Sequence, residues 1–464
     1  MIFIKSLEGD AMDRITKILA EYAESIDYSK VPLETRHEVK RRVIDSIAVA
    51  FAAYNAEPVA ISRRVVSKLT SREGARILGT RYKVAPDWAT FVNGLMVRYH
   101  DYNDTYLSKE PLHPSDLIGA ALAVGDYMGA RGTDFITAVA IGYEASVTFC
   151  DGGTLRKRGW DHVNYLGIGS ALAAAKLLGL DAVKTQHALS IYAVPHAAMR
   201  QTRVGELSMW KGAAAANSSR NAVFAALLAK EGFTGPYKPF EGEMGFFKQL
   251  LQGDFDVSVL GGIEAKNPPR RILDTYIKPY PVEYHAQTAV EATLRLREKV
   301  RVEEIEKIRI DTYEAAYTII GPKDPEKWDP HTKETADHSI MWITAAAFVW
   351  GPIKIEYYRD IRNPAVLSLM KKIEVNLDPE LDKLYPQAFP TVITVYTKGG
   401  SKYTERVDYA KGHPKNPMTD AELEAKFNTL TQDVLPEEVR RRVLQMLWRL
   451  EDYDIPHLLE ALAV

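Results

Sequence analysis

"KNPPRRILDTYIKPYPVEYH", residues 266–285, is where the texture of the chain changes. It carries Pro268, Pro269, Pro279 and Pro281 in twenty residues. A proline has no N–H for a helix interior and pushes the residue before it towards extended geometry. This stretch therefore ends one regime of the sequence and opens another.

Upstream, residues 10–265 read mainly as helix. "ETRHEVKRRVIDSIAVAFAAY" sets apolar residues at helical spacing. "DLIGAALAVGDYMGA", "DFITAVAIGYEASVTFC" and "GSALAAAKLLGL" follow, each rich in Ala and Gly. Small residues let helices approach closely, so the expectation is a tightly packed bundle. "GELSMWKGAAAANSSRNAVFAALLAKEGF" continues the theme, with Gly232 as its expected C-terminal stop. Downstream, "IEKIRIDTY" alternates at strand period. "IEVNLD", "FPTVITVYTKGG" and "SKYTERVDY" read as further strands, the last two forming a hairpin through Gly399–Gly400. Helical segments "HAQTAVEATLRLREK" and "ADHSIMWITAAAFVW" lie between them. After "KGHPKNPM", Thr419 and Glu422 form a capping-box pattern that starts further helices. The fold class expected is mainly α with an α+β second domain. An all-helical domain spans 1–265, an α+β domain spans 266–409, and C-terminal helices in 410–464 return to complete the first.

The chain has 464 residues, 46% apolar and 26% charged, with a formal charge of -2. No basic excess argues for nucleic acid. A single cysteine, Cys150, rules out an internal disulfide, a Cys-rich zinc site and the four-thiol cradle of an iron–sulfur cluster. The N-terminal "MIFIKSLEGDAMDR" has too short an apolar run for a signal peptide. The longest apolar stretch, "YLGIGSALAAAKLLGL", is broken by Lys176 and is too short to span a bilayer. The expected setting is the cytoplasm, with no membrane partner.

Titratable residues collect at helix entries. "HDYNDTYLSKEPLHPSD" (100–116) holds Asp101, Asp104, Thr105 and His113. Its plain reading is a helix start after turn aspartates; its sharper one is a pocket at a helix N-terminus, where negative charge is favoured. His162 stands before the next small-residue helix. "RQTRVGELSMWKG" brings Arg200, Arg203 and Lys211 to another helix start, and arginine recognises carboxylates with two parallel hydrogen bonds. "YIKPYPVEYHAQ" supplies Lys278, Glu283 and His285, and "ETADHS" supplies Asp337 and His338. His331 reads as a loop residue; His37, His187 and His457 read as helix-face residues. No H-E-x-x-H metal motif and no G-x-S-x-G elbow appear. The glycines of "GIGSALAAAKLLG" lack the preceding strand that dinucleotide binding requires. Cationic groups beside histidines suit proton chemistry on a small polycarboxylate.

These motifs, with "GWDHVNYLG", "QTRVGELSMWKGAAAANSSRN", "GFTGPYKPFEGEMGFF" and "KPYPVEYHAQTAVEA", resemble the MmgE/PrpD family along nearly the whole chain. The likeness is greatest to its 2-methylcitrate dehydratase branch. The relative that decarboxylates cis-aconitate usually has a histidine where this chain has Glu283, and a shorter gap before His113. The resemblance implies a helical domain, a smaller α+β lid, a homodimer and a cleft between domains. It implies dehydration of 2-methylcitrate to 2-methyl-cis-aconitate without metal or cofactor, with decarboxylation of cis-aconitate, epimerisation of iminodisuccinate, or non-catalytic ligand binding as the alternatives. The implied catalytic residues are Asp101, His113, His162, Lys211 and Lys278. Their placement beside apolar residues at helix or strand ends leads to the expectation that Lys211 and Lys278 hold substrate carboxylates from two sides of the cleft. Thr105, Arg203, Glu283, His285 and His338 are expected to bind substrate. An active-site tyrosine is implied at Tyr313 or Tyr317.

Overall fold

The computed structural model describes residues 12–464. Residues 1–11, which carry the apolar run weighed above against a signal peptide, lie outside the described residues.

The first unit is built of helices α1 (Arg14–Ser25), α2 (Leu33–Ala52), α3 (Glu57–Val66), α4 (Pro86–Arg98), α5 (Ile118–Met128), α6 (Gly132–Gly152), α7 (Val163–Leu177), α8 (Ala182–Ala193) and α9 (Trp210–Lys230). α5, α6 and α7 are apolar around most of their circumference, and nearly every residue of each is buried. Such helices belong in the middle of a bundle. Their glycines sit where helices touch. A Cβ on Gly119 of α5 would lie 2.5 Å from the backbone nitrogen of Gly94 in α4, so the two helices meet backbone to backbone. α9 ends as expected: Gly232 takes φ +94, a left-handed conformation that costs glycine little.

The first unit is not wholly helical. β1 (Thr70–Arg76) and β2 (Lys83–Val84) pair antiparallel with an irregular register. Asp126 of α5 holds this hairpin by accepting from the backbone and guanidinium of Arg76. A two-residue partner strand has no period to read, which is why the sequence concealed it.

The second unit is a four-stranded mixed sheet of β3 (Ile305–Thr312), β4 (Ile373–Leu377), β5 (Thr391–Thr397) and β6 (Lys402–Val407), in the order β4-β3-β5-β6. β3 and β4 are parallel, and the other pairs are antiparallel. β5 and β6 are joined through Gly399–Gly400, with Gly400 at φ +81. Helices α10 (Gln287–Arg297) and α11 (Ile340–Trp350) supply much of its buried apolar surface. α12 (Asp420–Thr431) follows, opened by the Thr419–Glu422 capping box, and then α13 (Glu437–Trp448).

Two apolar cores result. One runs from Ile15 to Ile277 and resumes at Met418, so α12 and α13 pack on the helical unit. The other holds Tyr276 and Val282 to Val407, with Leu107 inserted from the first unit. Neighbouring side chains at Tyr276 and Ile277 thus enter different cores, as alternation along extended backbone allows. Tyr276 is pinned there by a two-way backbone bridge to Thr105. The crossing lies beside the histidine-rich turn, which puts both units next to one site.

Candidate active site

The turn after α4 is the centre of the site. Asp101 sits at φ +52, a region unusual for a residue with a side chain but tolerated by aspartate. Its carboxylate receives Lys278 Nζ at 2.6 Å and Lys211 Nζ at 2.8 Å, with Arg98 at 2.9 Å. Burial pushes this carboxyl up, but Arg98, Lys211 and Lys278 together hold it well below the usual range. Lys278 also donates to the Asp101 carbonyl at 2.8 Å. It is completely buried. Of the two lysines expected to clamp substrate, Lys278 lies under Asp101, while Lys211, in the first turn of α9, pairs with Asp101 and also lines the cavity.

Four histidines line a cavity of about 290 Å³ between the two units. Each comes from a different helix entry. His113 contacts the Asp104 carbonyl through Nδ1 at 2.8 Å and Thr105 Oγ1 at 3.1 Å. A carbonyl only accepts, so Nδ1 carries the hydrogen and Nε2 the lone pair. That Nε2 is 4.0 Å from Asp101 Oδ1. Burial, Arg98 and Lys278 hold the His113 pKa well below its ordinary value. The His162 ring lies 5.8 Å from that of His113 and is pushed down to about 3 by burial and Arg203. His285 hydrogen-bonds Tyr313 through Nδ1 and is pushed down to about 3 by burial, Arg156 and Lys278. His338 pairs with Asp337 through Nδ1 at 2.5 Å, and its Nε2 is 3.7 Å from Asp101 Oδ2. The Asp101 carboxylate therefore has His113 beside one oxygen and His338 beside the other.

Arg156, Arg200 and Arg203 also line the cavity. Arg203 is held by Asp161 at 3.0 Å. Burial lowers the Arg200 pKa, and the neighbouring Arg156 and Arg203 lower it further. Arg156 Nε, one terminal nitrogen of Arg203 and Nε2 of His162 are buried without a hydrogen-bond partner. Unpaired buried polar atoms are costly, and here three of them belong to residues that line one cavity. Glu283, from the second unit, also lines the cavity and caps the short turn before α10 by accepting from His285 N at 2.7 Å. Burial raises its pKa, against His338 and Lys278, which lower it.

Asp101, Asp337 and His338 bring three ligand-type atoms within 4.8 Å of one another. The Lys211 ammonium already occupies this place, 2.8 Å from Asp101 and 3.5 Å from Asp337. Of the two tyrosines considered, Tyr313 is the one bonded to a cavity histidine; Tyr317 has Lys323 over its ring instead. His331 is exposed beside Asp329. His37 stacks on Trp448, away from the cavity. Sequence reasoning missed Arg98, Arg156 and Lys327. Arg98 had a signal, as the one charged residue ending the apolar run "FVNGLMVR". Arg156, in "LRKRG", is one of three consecutive basic residues that no pattern tells apart.

A helix-rich unit, a smaller mixed-sheet unit and a cation-rich, histidine-lined cleft between them define the class: a two-unit protein with its titratable groups gathered at the junction. The MmgE/PrpD N-terminal domain matches residues 17–258 and the MmgE/PrpD C-terminal domain matches residues 280–452, and the chain belongs to that family. It is 28% identical to a 2-methylcitrate dehydratase of Escherichia coli K12 over 407 residues, covering 80% of this chain and 81% of the relative. A probable 2-methylcitrate dehydratase of Saccharomyces cerevisiae is 27% identical, covering 88% and 84%. An alkylcitrate dehydratase of a fungal species is 28% identical, covering 85% and 83%.

Proposed function

We propose that the protein is a hydro-lyase that dehydrates 2-methylcitrate to 2-methyl-cis-aconitate, and citrate as well, without a metal. The observation that carries this reading is the set of buried polar atoms without partners on Arg156, Arg203 and His162, which line the wall of the cavity together with His113 and Lys211. Three carboxylates need several cationic anchors, and this wall offers them. The names of the relatives point to the same substrate class.

In this reading Arg203 and His162 bind one carboxylate and Lys211 another. His113, fixed by Thr105 and the Asp104 carbonyl, takes the carbon-bound proton at Nε2. As the C–H electrons form the alkene, the C–O bond to the neighbouring hydroxyl breaks, and the departing oxygen takes a proton from a second acid/base group of the cavity to leave as water. The cations around the cavity stabilise charge that builds on the adjacent carboxylate. Asp101 and Lys278 position Lys211 and both flanking histidines, and Glu283 and His285 shape the far wall. A metal is not required, because an ammonium sits where one would be held. The single free thiol of Cys150 suits a reducing compartment such as the cytoplasm, and the exposed apolar side chains of Met199, Trp210 and Phe224 support a homodimer.

Incubation with a panel of tricarboxylates, in the presence of a chelator, tests the reading. An ultraviolet rise from a new conjugated alkene with 2-methylcitrate is expected. Carbon dioxide from cis-aconitate without any dehydration, or activity that chelator removes and only a metal restores, would overturn it.

A further inference from the structure

We infer that Asp337 and His338 act together as the general acid of the site, with His338 Nε2 delivering the proton to the departing hydroxyl. The inference rests on the dehydratase reading above.

Elimination needs an acid as well as a base, because hydroxide is a poor leaving group near neutral pH. The four cavity histidines are not equivalent. His113 has a carbonyl and a hydroxyl on Nδ1, and His285 has a tyrosine. Neither partner is an anion that would stabilise an imidazolium. His162 has Asp161 only at 3.3 Å, and that carboxylate is engaged by the Arg203 guanidinium. His338 alone among them has a carboxylate at hydrogen-bond length on Nδ1. The other oxygen of Asp337 is anchored by Lys333 at 2.5 Å, which fixes the carboxylate and hence the ring. This leaves His338 Nε2 as the nitrogen open to the cavity, as in any carboxylate–imidazole pair that orients a reactive ring.

The charges facing the ring explain how it is loaded. Asp337 and Asp101 favour the imidazolium; burial and Lys211 oppose it, and in the free protein the pKa lies below its ordinary value. Glu283, across the cavity, also senses this ring. Lys211 is 3.4 Å from Nδ1. A bound tricarboxylate places a negative charge on Lys211 and more beside Nε2, which removes the main opposing charge. Substrate binding therefore draws a proton onto His338. In the reaction the Nε2–H bond breaks and the proton joins the hydroxyl oxygen. The C–O electron pair leaves with the new water, and His338 is left neutral. His113 then holds the proton taken from carbon, so the two histidines exchange states across Asp101, and solvent resets both.

Two measurements test this. Propane-1,2,3-tricarboxylate has no hydroxyl to lose, so its binding can be followed by calorimetry in buffers of different ionisation enthalpy. The wild type should take up close to one proton, and His338→Gln should take up none. Turnover is then compared for 2-methylcitrate and for its analogue with fluorine in place of the hydroxyl, since fluoride leaves without protonation. His338→Gln should lose about 10²–10⁴-fold in water elimination yet keep fluoride elimination near the wild-type rate. His338→Asn serves as a second variant should the first not fold. Equal losses on both substrates, no loss on either, or unchanged proton uptake would overturn the acid role. If the wild type eliminates from neither substrate, the dehydratase reading is what fails, and proton uptake still decides whether the dyad is loaded by an anion.

Discussion

Among single residues, His100 shows how burial sets protonation just outside the cavity. Its Nε2 faces the Ala52 carbonyl at 3.2 Å, and burial with Lys333 pushes its pKa down to about 3. An unfolded histidine titrates near ~6.5. Between those values the unfolded chain binds the extra proton, so stability is present above the unfolded pKa and is lost as pH falls through the window towards 3. At pH 5 the loss from this one ring is about 2 kcal/mol at most. His100→Asn removes the titration and should shrink the stability difference between pH 7 and pH 5 by that order, as read by urea unfolding. Identical pH dependence in both proteins would show that the ring is not held neutral. His100 adjoins Asp101, yet the sequence could not separate them: both are polar residues in one turn. Only the direction of each side chain, one towards Ala52 and one towards two lysines, distinguishes a structural histidine from a site aspartate.

At the scale of elements, the bundle depends on close approach. α4 and α5 cross at Gly94 and Gly119, and a methyl group on Gly119 would meet backbone atoms at 2.5 and 2.8 Å, which no rotamer change relieves. Gly119→Ala should therefore destabilise the protein by about 1–3 kcal/mol, as overpacking typically does. Because α5 follows directly from the His113 turn, activity at a fixed temperature should fall with it. Thermal unfolding compared with a solvent-exposed control such as Gly261→Ala, where an added Cβ meets nothing within 4 Å, checks the claim. A Gly119→Ala protein as stable as wild type would mean that the helices can part without penalty. The close packing was readable in the Ala- and Gly-rich segments. The β1–β2 hairpin was not, because its second strand is two residues long and its register is held by Asp126, fifty positions away.

For the whole molecule, the C-terminal helices reach the site through one lysine. Lys426 of α12 is buried, pairs with Asp45 of α2 at 2.6 Å, and donates to the carbonyls of Tyr102 at 3.0 Å and Lys278 at 2.8 Å. One ammonium thus ties α2, the Asp101 turn and the extended segment carrying Lys278 together. Lys426→Met leaves Asp45 buried without its cation and should cost about 3–5 kcal/mol. Adding Asp45→Asn should recover part of the loss. Denaturant unfolding of the two single variants and the double variant reads this directly. Strict additivity of the two single changes would show that the pair does not interact.

Sequence by itself determined the kind of many of the long elements, the place where helical texture gives way to strands, and the residue types that carry the chemistry. Those are local properties: periodicity, proline geometry and capping pairs act within a few positions. It also showed that titratable groups gather at helix entries, since polar residues interrupt apolar runs there. Tertiary structure alone decided how those groups divide their work. Lys211 and Lys278 look alike in sequence, but one lines the cavity and the other is completely buried beneath Asp101. His113, His162, His285 and His338 each precede a helical segment, but only His338 has a carboxylate at hydrogen-bond length on Nδ1. The electrostatic state of a buried group depends on charges brought within a few ångströms from distant parts of the chain. No local pattern encodes that neighbourhood; it exists only once the two units have packed.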